Sequence, residues 1–359
     1  MSRAVEAHID LNALRHNLQV IKRFAPQSKV IAVIKANGYG HGMTEVAQAL
    51  SNVDAYGVAC LPEAQRLRSQ GIELPILLLS GFFDHQELNE CSELGLHVAI
   101  HQLAQVDQLE AAALTTPVDA WLKIDTGMHR LGITPDQFES VYQRLRACSS
   151  VNKLRFMTHF ARADEVDRPE TDQQIECFDQ LVQGIEVEQS MSNSAAIIKY
   201  PQSHRDWVRP GIMLYGVAPF AQKVGLDYDL RPVMTFSSHI MAIRLCKKGD
   251  ALGYGGTWVC PEDMPIGIVA VGYGDGYPRH ASHGTPVLIN GIQVPLVGRV
   301  SMDSIFVDLR TCPEAKLGDE AILWGKGLPV EEVAACAATI PYELLCKVTA
   351  RTRYIYSNS

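Results

Sequence analysis

Strand-like and helix-like stretches alternate across residues 1 to about 220, and this alternation limits the possible folds more than any other feature. The strand-like runs are KVIAVIK (29–35), AYGVAC (55–60), PILLLS (75–80), LHVAI (96–100), VDAWLKI (118–124), LRFMTHF (154–160), QSMSNS (189–194) and VRPGIMLYG (208–216). QSMSNS carries the faintest signal of the eight. Between most of them lie stretches such as MTEVAQAL, PEAQRLRSQG, DHQELNECSELG and PDQFESVYQRLRAC. Several of these open on Pro, Asp or Thr and close on Gly, as capped helices do. Alternating strand–helix units imply a parallel sheet, and eight of them favour a closed barrel over an open doubly wound sheet. The expectation is an N-terminal (β/α)8 TIM barrel over residues 1–225.

The texture then changes. VMTFSSHIMAIRL, IGIVAVG, TPVLINGIQVPLVGRV and SIFVDL follow one another with Gly, Pro and Asn turns and little helix. Asn290-Gly291 between VLI and IQVPLV reads as a tight hairpin turn. A late helix fits PVEEVAACAA. Residues 226–359 therefore read as a mostly β domain, with the boundary near 222–228.

Composition excludes several classes. Lys and Arg number 32 against 40 Asp and Glu, a net charge of −8 with no basic block, so nucleic acid is not the expected partner. No apolar run approaches the roughly 20 residues of a membrane helix, and the N-terminus lacks the apolar segment of a signal peptide. Nine cysteines are dispersed with no CxxC pair, which suits reduced thiols in a cytoplasm better than a disulfide frame or a zinc site. No metal is expected.

In a barrel of this kind the chemistry sits at the carboxyl ends of the strands. Those ends carry Lys35 after the first strand, Lys123 and Asp125 at the fifth, His159 at the sixth, Asn193 and Ser194 at the seventh, and Arg209 and Gly211 at the eighth. A lysine at a strand end is ordinarily a surface cation. Where its surroundings desolvate it, the free amine is favoured, and such an amine forms Schiff bases with carbonyl cofactors, above all pyridoxal phosphate. That chemistry needs a phosphate site, for which Ser194, the RPGI backbone at 209–212 and the Tyr39 hydroxyl are candidates.

VIKANGYGHG (33–42), KIDTGMHRLG, THFARADE, NSAA, WVRPGIMLYG, GYGGTW, VGYGDGYPR, GRVSMD and YELLC occur in an order and spacing that resembles the alanine racemase family along nearly the whole chain. The resemblance implies a pyridoxal-phosphate enzyme that interconverts L-alanine and D-alanine, supplying D-alanine for peptidoglycan or serving alanine catabolism. It implies that Lys35 holds the cofactor as an aldimine, becomes a free base when substrate displaces it, and abstracts a proton from the D-isomer. Tyr254 serves the opposite face, abstracts from the L-isomer, and comes from the second subunit of a head-to-tail homodimer with shared active sites. Arg209 faces the pyridine nitrogen. Since arginine can only donate, that nitrogen stays unprotonated, the ring is a weaker electron sink, and side reactions are curtailed. His159 buttresses Arg209, while Tyr39, Ser194, Gly211, Ile212 and Tyr342 surround the phosphate. Arg130 and the backbone amide of Met302 hold the substrate carboxylate, and Lys123 is carbamylated so that it orients Arg130. Tyr273, Arg279, Arg299 and Asp303 resemble residues of the substrate entryway.

Two positions depart from the family's common pattern. Gly38 stands where alanine is commonest, and His129 stands where many members have glycine; its ring is expected to face solvent. Among rival readings, GYGHG, GYGGTW and VGYGDG lack the strand–GxGxxG–helix frame of a dinucleotide site. An amino-acid decarboxylase of the same build would want a protonated pyridine ring, which an arginine partner opposes. A broad-specificity racemase is nearer, although such enzymes are commonly exported. A non-enzymatic cofactor-binding barrel leaves Tyr254 and the β domain without a use.

Overall fold

The structure, a computed structural model, describes residues 5–358. Eight parallel strands close into a barrel: β2 (Lys29–Val33), β3 (Ala55–Val58), β4 (Ile76–Leu78), β5 (His97–Ile100), β6 (Val118–Lys123), β7 (Val151–Met157), β8 (Gln189–Ser190) and β9 (Trp207–Val208). Seven of the strand-like runs supply a barrel strand, the faint one included, and the eighth contributes only its first residue, Val208, since Ile212–Tyr215 turns into a 3-10 helix. Ring closure is direct, through Lys29 and Val30 of β2 opposite Trp207 and Val208 of β9. The last strand is short because Pro210 has no N–H to extend a ladder.

A strand buried on both faces splits its side chains between the barrel lumen and the helices outside. Ile31, Ala55, Leu77, Ala99, Trp121, Met157 and Trp207, one from each of seven strands, form a cluster of their own that fills the lumen. Trp121 and Trp207 meet edge to face, 5.6 Å between centroids. The outward side chains meet amphipathic helices such as Leu11–Phe24, which Asp10 caps at the Asn12 and Ala13 N–H groups and which buries Leu11, Leu14, Leu18 and Ile21.

The amino end of the barrel is sealed by charge. The buried Arg155 guanidinium lies over Trp121 and donates to Asp119 at 2.9 Å and Glu188 at 2.7 Å. Lys29 and Lys153 also reach Glu188, each at 2.8 Å. Burial alone would raise the Glu188 pKa, but the hydrogen bonds from Lys153, Lys29 and Arg155 hold it well below the usual carboxylate range. Its stabilising contribution is therefore present above the ordinary carboxylate pKa and is lost as pH falls toward the depressed value. Removing Arg155 would take the arginine from Asp119 and one of three cations from Glu188, and would leave a gap over the apolar plug. Arg155→Ala is expected to cost about 3–5 kcal/mol, read from urea unfolding, with the kinetics of any folded enzyme unchanged. A cost under about 1 kcal/mol would mean that the network behaves as a solvated surface one.

The second domain is antiparallel. β10 (Met234–Cys246) pairs with Glu320–Trp324, which pairs in turn with Pro286–Ile289; Ile292–Val297, Ile305–Asp308 and Met264–Val269 follow. Met264–Val269 returns to the second half of β10, so these six strands close on themselves. Asn290 and Gly291 both take positive φ, 51° and 77°, in the expected two-residue hairpin turn. The late helix is present as Val330–Cys336.

Glu320–Trp324 and Arg353–Ser357 escape the sequence reading, and so does the first strand of the chain. β1 (Glu6–Asp10) pairs antiparallel with the first half of β10 and parallel with Arg353–Ser357. The first strand thus belongs to the second domain's sheet, whereas residues 1–225 had been expected to form the barrel. EAHID hides it because only Ala7 and Ile9 point inward. Among the described residues, no helix is long and apolar enough to cross a membrane.

Candidate active site

β2 ends at Val33, and the chain then does something costly. Ala36, Asn37, Gly38 and Tyr39 all take left-handed φ, between 51° and 64°. Each non-glycine residue of such a run costs about 1–2 kcal/mol, so the surroundings must enforce it. Gly38 N–H donates to Ile34 O at 2.8 Å, and Gly42 N–H to Asn37 O at 2.9 Å. Glu63 clamps the entrance, one carboxylate oxygen accepting from Ala36 N and the other from Ala59 N, both at 2.7 Å. His41 braces the far side through the Gly38 and Tyr39 carbonyls. Glycine at 40 is obligatory, since a Cβ there would lie 2.0 Å from Leu345 O. The product is a rigid turn that holds Lys35 at the rim and folds Tyr39 inward against Tyr215, 4.8 Å between centroids.

Burial lowers the Lys35 pKa, and the nearby Arg130 charge lowers it further; Glu63 and Cys346 oppose the shift. Arg209 is buried too. Its terminal nitrogens donate to Ser190 Oγ at 2.6 Å, Thr158 O at 2.5 Å and Met191 O at 3.2 Å. Among the described residues no carboxylate pairs with it and its Nε has no partner. Burial brings its pKa down to about 10, so it stays protonated at neutral pH. The His159 ring makes no hydrogen bond to Arg209; the guanidinium is held instead by Ser190 and two backbone carbonyls. His159 lies just past the end of β7, with its pKa well below the usual range because of burial and the charges of Arg209, Lys123, Arg130 and Lys35. One ring therefore senses all four cations.

Beside them is a hydroxyl- and amide-lined cradle. Ser194 Oγ accepts from Gly211 N at 2.9 Å and Met213 N at 3.4 Å. A Cβ on Gly211 would sit 2.6 Å from the Tyr39 hydroxyl, so glycine is what lets that hydroxyl approach the backbone. The Ile212 N–H has no acceptor among the described residues. Tyr342, on the short helix Pro341–Cys346, places its ring 6.0 Å from that of Tyr39.

Lys123 closes β6, buried, with no ion pair among the described residues. Burial first, then Arg209, Arg130 and Lys35, bring its pKa down to about 8, against a weaker opposing effect of Asp125. Asp125 is occupied with its own loop, where one oxygen accepts from the Gly127, Met128 and His129 N–H groups at 3.0–3.1 Å. His129 is exposed, as expected, and approaches Asp125 at 3.4 Å. Its φ of 54° explains why glycine suits this position.

The second domain holds a separate group. Tyr254 begins the turn Tyr254–Gly256 and is 69% exposed. Arg299 lies against that turn, since a Cβ on Gly255 would be 3.1 Å from its guanidinium. Gly274 N–H donates to Met302 O at 2.9 Å, which brings the Tyr273 turn to the Met302 loop. Tyr273 and Met302 are both exposed, as are Arg279 and Arg299. Asp303 pairs with Arg351 at 2.7 Å. Among the described residues, no hydrogen bond, ion pair or ring contact joins Tyr254 to the barrel rim.

Four residues at the rim went unnoticed in the sequence. Glu63, Thr158 and Ser190 hold Lys35's turn and Arg209, and Cys346 lies within charge range of Lys35. Glu63 had a usable signal, an acid in the first helical turn after a barrel strand. Thr158 acts through its backbone and left none.

Residues 9–219 match the family described as alanine racemase, N-terminal domain, and residues 233–356 match alanine racemase, C-terminal domain. An alanine racemase of Yersinia pestis bv. Antiqua is 52% identical over 355 residues, covering 99% of each chain. One of Aeromonas hydrophila is 52% identical, covering 97% of this chain and 98% of the relative. Among solved structures, the biosynthetic alanine racemase from Pseudomonas aeruginosa superposes with a TM-score of 0.97 at 45% identity and 99% coverage of both chains. The alanine racemase from Bacillus anthracis with bound L-Ala-P superposes with a TM-score of 0.87 at 30% identity, over 99% of this chain and 96% of that one.

Proposed function

The chain belongs to the alanine racemase family, and from that premise we propose how its residues divide the work of interconverting L-alanine and D-alanine. Pyridoxal 5'-phosphate is the cofactor we assign. Bound there, it supplies an aldehyde for the amino group and a ring that acidifies the substrate's α-hydrogen. The residues fit such a group. A desolvated lysine amine, an uncommitted Arg209 Nε and a cradle of Ser194, Gly211, Ile212 and Tyr39 lie at one rim. Their convergence with Lys35 is the observation that carries the reading.

Arg209, always a donor, would hold the pyridine nitrogen of the bound cofactor and keep it from being protonated. Tyr39 and Ser194 would give hydroxyls, and Gly211 and Ile212 backbone, to the phosphate, and Tyr342 would wall it. Lys35, freed as an amine, takes the α-proton of D-alanine and returns one to that face. Tyr254 of the partner subunit does the same at the opposite face for L-alanine. The exposure of Tyr254, Met302 and the entryway residues Tyr273, Arg279 and Arg299 in a single chain suits a homodimer in which each β domain completes the other chain's site. Arg130 and the Met302 N–H take the substrate carboxylate.

Arg130 must be aimed, and we assign that positioning role to Lys123 as a carbamate. Its neutral amine attacks the carbon of carbon dioxide and releases one proton to water, leaving an anion among three cations. A lysine with a pKa of about 8 has more neutral amine as pH rises, so the carbamate should form at mildly alkaline pH and be lost in acid. Lys123→Met is expected to lower kcat/KM about 10²-fold by leaving Arg130 loose, and added short-chain carboxylates such as acetate should restore part of it. A variant that retains activity and ignores acetate would exclude the carbamate.

The whole reading is tested by reducing the purified holoenzyme with borohydride and mapping the adduct. The visible absorbance should disappear and the label should fall on Lys35. Labelling of any other lysine would overturn the site. Carbon dioxide released from alanine as fast as it racemises would move the chain toward decarboxylation chemistry.

A further inference from the structure

The nine cysteines are all free thiols, and seven are dispersed over separate elements. Two are not. Cys246 ends β10, the chain leaves the sheet over residues 247–259, and Cys260 marks its return just before Met264–Val269, whose Met264 pairs back to Cys246 itself. The base of this excursion is drawn together by Gly249 N–H to Cys260 O and Cys260 N–H to Asp250 O, both 2.8 Å. Its arms, Ala251–Leu252 and Trp258–Val259, pair antiparallel, and the turn between them holds Tyr254. Cys246 and Cys260 pack in one small apolar cluster with Leu252, Met264 and Trp258, separate from the main core. Burial raises the Cys260 pKa, and the neighbouring Cys246 thiol raises it further.

We propose that Cys246 and Cys260 are a modification site, a dithiol that low-molecular-weight disulfides such as oxidised glutathione close reversibly into an intramolecular disulfide across the base of the Tyr254 excursion. The half-buried Cys246 is the entry point and the buried Cys260 the resolving thiol. Cys246, as thiolate, attacks one sulfur of the oxidant and expels one glutathione thiol. Cys260 then loses its proton to water, attacks the Cys246 sulfur of the mixed disulfide and expels the second. Two protein thiols are oxidised as one small disulfide is reduced to two thiols. A cross-link at the base restrains everything beyond it, so the oxidised excursion opens less often.

The test uses holoenzyme equilibrated in graded ratios of oxidised to reduced glutathione, acid-quenched, alkylated under denaturing conditions and peptide-mapped. The Cys246 and Cys260 peptides should leave the alkylated pool together, joined to each other, and return together on reduction. Amide hydrogen exchange across residues 247–259 should slow on the order of tenfold in the bridged form. In Cys246→Ser, Cys260 should stay alkylatable and exchange should ignore the oxidant. Full alkylation of both thiols at the most oxidising ratio, glutathione retained on Cys246 alone, or a bridge with unaltered exchange would each overturn the proposal. None of these readouts uses activity, so they stand or fall apart from the catalytic role assigned to Tyr254.

Discussion

Lys35→Ala should lower alanine racemisation in both directions by about 10⁴-fold or more, because one substitution removes a covalent anchor and a general base, and a base alone contributes about 10²–10⁴. Stability should not fall with it. The Lys35 ammonium is half-buried and near the Arg130 charge, and that environment already disfavours its own charge; deleting it relieves desolvation and repulsion. The expected result is a folded protein with an unshifted or raised urea midpoint, no borohydride-reducible adduct and almost no turnover. Activity within tenfold of the wild type would remove Lys35 from the chemistry. A lowered midpoint would instead show that the left-handed turn depends on the lysine, which Glu63 and the backbone hydrogen bonds at Ile34 and Asn37 argue against.

The barrel was legible because its signal is repeated. Each strand is short, yet eight of them in register with intervening helices leave few alternatives, and even QSMSNS, only two residues of strand, was caught by its place in the series. β1 had no such support. Its partners are β10 and the C-terminal strand, hundreds of residues away, and periodicity in a five-residue window carries no information about them. The rim followed the same logic. Lys35, Lys123 and Arg209 could be found because a cation at the end of an apolar run is conspicuous. The residues that support them were not conspicuous. Ser190 acts from inside a strand of two residues, Thr158 through a carbonyl, and the left-handed path from Ala36 to Tyr39 leaves only Gly38 as a hint. Nor does the spacing of Cys246 and Cys260 suggest that a hairpin folds one against the other.

Tyr254→Phe should separate the two faces of the substrate. Removing a positioned acid–base hydroxyl typically costs 10²–10⁴-fold, and racemisation in either direction should fall by that order, since each direction needs both groups. Exchange should not fall equally. In deuterium oxide, Lys35 can still remove and replace the α-hydrogen of D-alanine on its own face, so D-alanine should gain deuterium with retention much faster than it inverts. L-alanine, which relies on the missing phenol, should exchange at the slow racemisation rate. Equal exchange of both enantiomers would sink the two-base assignment. Mixing subunits then asks where the phenol comes from. A Tyr254→Phe chain keeps Lys35, and a Lys35→Ala chain keeps Tyr254. If each site draws its phenol from Tyr254 of the partner subunit, the mixed dimer contains one complete site and one lacking both groups. Random re-association makes half the dimers mixed, so the mixture should recover about a quarter of wild-type specific activity from two nearly dead parents. If the phenol came from within the chain, every site in the mixture would lack one group, and no recovery would follow once mass spectrometry had shown that subunits exchanged.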